Sequence, residues 1–263
     1  MNLPSALKRL CSCMGSALFP AKCLGCGRFF QHAAARPAAA AVGGVDLAAA
    51  MAFHFCPSCR GRWTPVASPL CPRCGMIFPS RNQGDHLCGR CLSEPGVFSR
   101  ARAVGVYDGS LRRAVKALKF KGAVSLAGPL GSALFDTFRR YWAASEIDVV
   151  APVPLHRHRF RQRGFNQAYL LVRKWVLPEG IEIVRDLLLR TRATAPQTGL
   201  DRRRRRSNIR NAFRVKRPGH CCGKRVLLVD DVLTTGATAD ACAAALMRDG
   251  ARRVDVLTLA RAL

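Results

Sequence analysis

The chain has 263 residues, enough for one large domain or for a medium domain with a small one. Apolar residues make up 49% and charged residues 22%, so a packed core is available and a generally disordered chain is excluded. The 43 Lys and Arg against 16 Asp and Glu leave a net charge of +27, a field that attracts nucleic acid, acidic membrane or phosphorylated small molecules. A genome that favours Arg codons produces the same bias, because most of the 43 are Arg. The stretch from Ala33 to Phe55 is weakly polar but is broken by Arg36, Pro37 and Asp46 and built of Ala, so no membrane span is expected. Lys8 and Arg9 fall where a secretory signal needs its apolar region. A cytoplasmic location is therefore expected, with cysteines kept reduced and free to bind metal.

Cysteine usage divides the chain. Ten of the 13 Cys precede residue 92, and Ser93-Glu94-Pro95-Gly96 forms a turn-like link. The expected division is a Cys-rich domain over residues 1–95, with an Ala-rich insertion at 33–52, and an α/β domain over residues 96–263. Four C-x-x-C pairs stand in the first part: Cys23/Cys26, Cys56/Cys59, Cys71/Cys74 and Cys88/Cys91. Each pair can wrap two thiolates round one metal, and two pairs complete the closed tetrahedral all-sulfur site of structural zinc. The 13 residues between Cys74 and Cys88 approach zinc-ribbon spacing, and the 29 between Cys26 and Cys56 accommodate the insertion. Eight ligands suit two zinc ions. Spacing does not say whether the pairs combine in order or interleave. No pair follows a strand in a βαβ setting, which argues against a redox role. Such a domain has little core of its own, so metal supplies its folding free energy. Cys11 and Cys13 have no partner pair.

The second part alternates strand and helix. Ala101–Tyr107 reads as a strand. Ser110–Lys121 reads as a helix with Leu111, Val115 and Leu118 inward and Arg112, Arg113, Lys116 and Lys119 outward. Ile147–Val153 reads as a buried strand and Phe165–Val176 as a helix. Five consecutive arginines, Arg202 to Arg206, follow; between Asp201 and Arg217 stand nine positive residues and one negative. Runs of this kind are solvated and bind polyanions, and single-stranded DNA fits them through its phosphates. Arg60, Arg62, Trp63, Arg73 and Arg90 place further basic and aromatic groups on the Cys-rich part. Arg225–Val229 is a second buried strand, Ala237–Arg248 a helix stopped by Gly250, and Val254–Ala260 a third strand. The pattern implies a parallel sheet with helices on both faces, whose ligands sit at the carboxyl ends of the strands.

The segment Val226 to Thr238 carries the chemistry. A buried strand delivers Asp230 and Asp231, and then Thr234-Thr235-Gly236-Ala237-Thr238 opens a helix. Backbone N–H groups and hydroxyls at a helix start cradle phosphate, and Gly236 admits close approach. Two carboxylates beside a phosphate demand a ligand that also offers hydroxyls or a cation, and a ribose phosphate with Mg²⁺ meets that demand. Neither a Walker A loop nor a G-x-G-x-x-G turn is present, although paired acids after a strand also occur in Walker B and simple Mg²⁺ sites.

This segment resembles the phosphoribosyl pyrophosphate (PRPP) loop of type I phosphoribosyltransferases. Pro152-Val153-Pro154-Leu155, Arg163-Gly164-Phe165-Asn166-Gln167-Ala168 and the stretch Arg190 to Phe213, with Gln197, Arg202 and Asn208, resemble the ComF branch of competence-related proteins, as do the N-terminal Cys pairs. The Ala-rich insertion and the long arginine run depart from that pattern. The resemblance implies that Asp230 and Asp231 contact the ribose hydroxyls. It implies that Thr234, Thr235, Gly236, Ala237 and Thr238 hold the 5′-phosphate, and that the loop Pro154 to Arg163 meets the pyrophosphate through Arg157 and Arg163. Lys116, Lys119 and Lys121 either face the same anion or form an exposed helix face. Thr191 to Asn211 resembles the hood that closes over PRPP. Two functions follow from the resemblance. One is a PRPP-binding, Mg²⁺-dependent transferase acting on an unidentified acceptor and linked to DNA uptake. The other is a non-catalytic factor that binds or processes single-stranded DNA within the competence machinery. Related transferases are often dimers, so a homodimer is an expected state.

Overall fold

The computed structural model describes residues 21–31, 51–79, 84–192, 209 and 211–263. Cys11, Cys13, Gln197, Asn208, the run Arg202 to Arg206 and the Ala-rich stretch up to residue 50 lie outside the described residues. The elements are β1 (Ala21–Lys22), β2 (Phe29–Phe30), α1 (Pro57–Arg60), α2 (Gly89–Ser93), β3 (Ala101–Val106), α3 (Gly109–Phe120) and α4 (Ala127–Tyr141). They continue with β4 (Val149–Pro152), α5 (Arg157–Arg163), α6 (Gln167–Val172), β5 (Glu182–Ile183), β6 (Leu188–Arg190), β7 (Phe213–Val215), β8 (Arg225–Leu233), α7 (Ala237–Arg248) and β9 (Arg253–Arg261).

Five strands form one sheet in the order β3-β9-β8-β4-β5. Every neighbouring pair is parallel. Alternate residues of the central strand β8 face opposite layers, as the two-residue period of a strand requires. Leu227 and Val229 join Leu111, Leu118, Leu130 and Leu171 from α3, α4 and α6 on one face. Val226 and Leu228 join Cys242 and Leu246 of α7, with Leu188 and Phe213, on the other. Each such fully buried aliphatic side chain contributes roughly 1.5–3 kcal/mol.

Two readings of the sequence change. Helix α4 was not expected, because Gly128, Pro129 and Gly131 punctuate its start. Pro129 is tolerated in the first turn, where no intrahelical N–H is lost. Gly131 is required by packing: a Cβ there would lie 2.4 Å from the Leu171 carbonyl oxygen. The helix expected over Phe165–Val176 is only α6, six residues long. Its start is set by Asn166, whose Oδ1 accepts from the N–H groups of Ala168 (2.9 Å) and Tyr169 (3.4 Å).

The Cys-rich segment lies along the free edge of β3. Val106 N–H donates to the Thr64 carbonyl at 2.8 Å, and Ala101 N–H to that of Arg73 at 2.7 Å. That contact covers an edge which would otherwise expose unpaired backbone groups. Among the described residues, no helix is long and apolar enough to cross a membrane.

Candidate functional site

The cysteines form two separate groups, in chain order. Cys23, Cys26, Cys56 and Cys59 make one; Cys71, Cys74, Cys88 and Cys91 make the other. Within each group the four sulfurs lie within 4.8 Å of one another. The Cys26–Cys56 sulfurs are 3.8 Å apart and those of Cys74 and Cys88 3.6 Å. Tetrahedral zinc with bonds of about 2.3 Å places its sulfurs about 3.8 Å apart, so the residues present fit structural zinc in both groups. Backbone N–H groups of Gly25 and Cys56 also donate to the Cys23 sulfur, each at 3.3 Å, which suits a thiolate ligand. The chain-order pairing follows from the fold and was open in the sequence.

The second centre lies at the carboxyl ends of the strands. From β4 the chain proceeds to β5 on one side, and from β8 to β9 on the other, so the crevice between β4 and β8 is a switch point of the sheet. β4 ends at Pro152, opposite Val229, while β8 runs on to Leu233 paired only with β9. The strand read as ending at Val229 therefore contains both acids. A shallow open hollow sits there, lined by residues that include Val153, Asp230, Thr234, Gly236, Ala237, Thr238 and Thr258. Gly236 has φ +81° and caps the start of α7 beside the hollow, where the Ala237 N–H donates to the Thr235 hydroxyl at 3.4 Å.

Strand alternation sends the adjacent acids to opposite faces. Asp230 shares the face of α7 and lines the hollow. Asp231, 3% exposed, points to α3, where its Oδ1 meets Lys119 Nζ at 2.8 Å. Lys119 thus turns inward from a helix side read as exposed, while Lys116 and Lys121 are exposed. Burial opposes the Lys119 charge, but Asp231 and Asp230 outweigh it and raise its pKa. Burial, with Asp231 beside it, pushes the Asp230 carboxyl up to about 7.

The loop after β4 brings up guanidinium groups. Arg163 is half-buried, held by Gln167 Oε1 and under the influence of both Asp231 and Asp230. Asn166 Nδ2 donates to the Val153 carbonyl at 3.1 Å, which fixes this loop against β4. Arg157 is exposed at the start of α5. Two further groups were not singled out in the sequence. Arg190, at the end of β6, feels Arg159 and Asp230, and Arg159 in turn acts on Arg163. Arg190 opens the segment that resembles the family but was given no role there; the β6–β7 ladder brings it in, pairing it with Phe213.

By its fold the chain is a parallel α/β protein that carries two four-cysteine groups suited to metal, one packed into each layer beside its sheet. A family model for the double zinc ribbon domain matches residues 46–92. The chain is 36% identical over 218 residues to DNA utilization protein YhgH of Escherichia coli K12, covering 80% of this chain and 92% of that protein. It thereby belongs to the ComF family of competence-related proteins. It is also 29% identical to Competence protein F of Haemophilus influenzae, over 80% of this chain and 98% of that protein. To Competence protein ComFC of Bacillus subtilis it is 27% identical, over 78% and 83%. Among solved structures, the glutamine PRPP amidotransferase of B. subtilis in complex with ADP and GMP is similar over 48% of this chain and 24% of that one, at 25% identity and a TM-score of 0.30.

Proposed function

We propose that the protein binds PRPP in the crevice between β4 and β8 and acts as a phosphoribosyltransferase-like protein in the uptake or use of DNA. The observation that supports this most directly is Asp230 lining one hollow with the helix-opening loop residues Thr234, Gly236, Ala237 and Thr238, while the charges of Arg163 and Arg190 act on Asp230. In this reading Asp230 accepts the ribose hydroxyls, and Asp231 from the other face holds Lys119 beside it. The N–H groups of Gly236 and Ala237 and the hydroxyls of Thr234, Thr235 and Thr238 bind the 5′-phosphate. Arg163 and Arg190, with Arg157 and Arg159 outside them, clamp the diphosphate. Mg²⁺ carried with the diphosphate supplies further neutralisation of the leaving group. Transfer from ribose C1 passes through an oxocarbenium-like state, so the protein's part is charge placement and exclusion of water. The names of the relatives, DNA utilization and competence, support a role in DNA handling. The units of work are a zinc-binding domain over residues 1–95 and the PRPP-binding domain over 96–263. Reduced, metal-binding thiols fit a cytoplasmic location.

Calorimetric titration of PRPP into zinc-loaded protein, with Mg²⁺ and with chelator, tests this reading. Saturable Mg²⁺-dependent binding that is lost in Asp230→Asn is the expected result, and no binding by a folded sample refutes it. The net charge of +27 favours a second reading, binding of single-stranded DNA without catalysis. That reading requires a steep fall of DNA affinity with salt and an unchanged affinity in Asp230→Asn.

A further inference from the structure

Arg261 closes β9 and is 1% exposed. A guanidinium withdrawn from water needs acceptors for its N–H groups and a counter-charge. The acceptors come from the crevice. Nη1 donates to the carbonyl oxygens of Leu233 at 2.9 Å and Thr234 at 2.6 Å, and to that of Ala262 at 2.6 Å. The counter-charge comes from the second cysteine group, since Cys74 and Cys88 act to raise the Arg261 pKa against the lowering by burial. A separate contact joins the same two regions. Arg90, between Cys88 and Cys91, brings Nη2 to 2.9 Å from the point where a Cβ on Gly236 would stand, and Phe98 backs it at 3.4 Å. Knuckle and loop therefore share one wall. Four thiolates outnumber the charge of one Zn²⁺, so a filled cluster is a fixed anion, and Arg261 is the buried cation between that anion and the loop carbonyls.

We propose that metal in the second cluster sets the conformation of the 234–238 loop through Arg261, so that metal occupancy there and sugar-phosphate binding are thermodynamically linked. Among the described residues, the first cluster, packed in the other layer, makes no such contact with the loop. The binding half of this statement rests on the function proposed above; the link between metal and loop does not. Arg261 is a positioning residue, since it reaches the ligand only through the loop. Linkage is reciprocal, so bound sugar phosphate must retain that zinc as much as zinc favours the sugar phosphate.

Hydrogen exchange on the full-length, zinc-loaded protein reads the link without any ligand. In Arg261→Lys and in Cys74→Ser, peptides over residues 232–240 are expected to exchange about tenfold faster, the counterpart of losing a buried bond from a charged donor. In Arg261→Lys peptides over β4 should stay unchanged, and in Cys26→Ser any faster exchange should be shared by the loop and β4 alike. Release of zinc to a chromogenic chelator, with and without PRPP and Mg²⁺, gives the second arm. PRPP should slow the loss of one zinc per chain in wild type and not in Arg261→Lys, which retains its charge and both metals. An unchanged loop in both variants, an equal effect confined to the loop in Cys26→Ser, or faster exchange across the whole sheet in Arg261→Lys overturns the proposal. A loosened loop in a protein that does not bind PRPP supports the link and refutes the PRPP reading instead.

Discussion

The two cysteine clusters have the same donors and nearly the same sulfur spacing, yet the tertiary structure gives them different neighbours. The first belongs to the layer of α3, α4 and α6, where Cys23, Phe55 and Cys59 pack with Leu111 and Leu118. Its knuckle receives α3: the Ser110 hydroxyl donates to the carbonyls of Cys59 and, at 3.5 Å, Arg62. The second belongs to the layer of α7, where Cys71, Cys74 and Cys91 pack with Phe98, Leu233 and Ala237. One cluster thus anchors the start of the helix whose far end holds Lys119 against Asp231. The other touches the loop that faces Asp230. A metal knuckle is a local unit, and its duty is set by the surface it is packed against.

Removing each metal separately is the strongest way to break this comparison. Cys74→Ser and Cys26→Ser should each bind one zinc per chain instead of two, measured by metal analysis, and each should melt well below wild type. Metal sites in small ribbons contribute on the order of 10 kcal/mol to folding, and packing on the sheet will absorb part of that. Equal loss of PRPP affinity in both variants would show that the two clusters serve the site alike.

The α3 side is probed through Lys119. Lys119→Met leaves Asp231 as a buried carboxylate without its cation, at an expected cost of about 3 kcal/mol in urea unfolding. Lys119→Met/Asp231→Leu should recover much of that stability, because the stranded charge is gone. A single variant as stable as wild type would mean that the ion pair does not hold this side together.

The α7 side has a pH signature. The Asp230 pKa is raised by burial to about 7 in the folded protein, against 3.8 ordinarily. Both states are protonated below the lower value; as pH rises from about 4 to 7 the unfolded chain releases this proton first and stability falls. Asp230→Asn should flatten that slope and gain on the order of 2 kcal/mol at pH 8 while losing PRPP affinity. Unfolding curves at pH 5 and pH 8 decide it, and parallel curves for the two proteins would exclude a raised Asp230. The smallest expected effect is Ser110→Ala, about 1 kcal/mol, with zinc content and loop exchange unaltered.

Much of this site was legible before any coordinates. The apolar run before Asp230, the Thr-Gly loop and the start of α7 stand together in the chain, because a strand–loop–helix unit is local. The eight cysteine ligands were equally plain, since each knuckle is four residues long. The role of Arg190 was not, since residues far apart in the chain meet there through the β6–β7 ladder. Lys119 shows a subtler limit. On an isolated helix it falls beside exposed cations, and only the buried carboxylate opposite it makes an inward turn favourable. The short α6 and the unforeseen α4 have the same origin: a cap at Asn166 and a carbonyl that requires Gly131 outweigh local propensity.

What the amino-acid order alone determined was therefore the parallel α/β class, the acid-bearing strand with its helix-opening loop, and the presence of two tetrahedral thiolate sites. Each of these is written in patterns of residues near one another in the chain. The tertiary structure alone decided which cysteine pairs combine, which acid faces the hollow and which faces α3, and which cluster supports the loop. Those outcomes depend on the parity of β8 within the sheet and on charges such as Arg261 that find their partners only once distant segments are packed together.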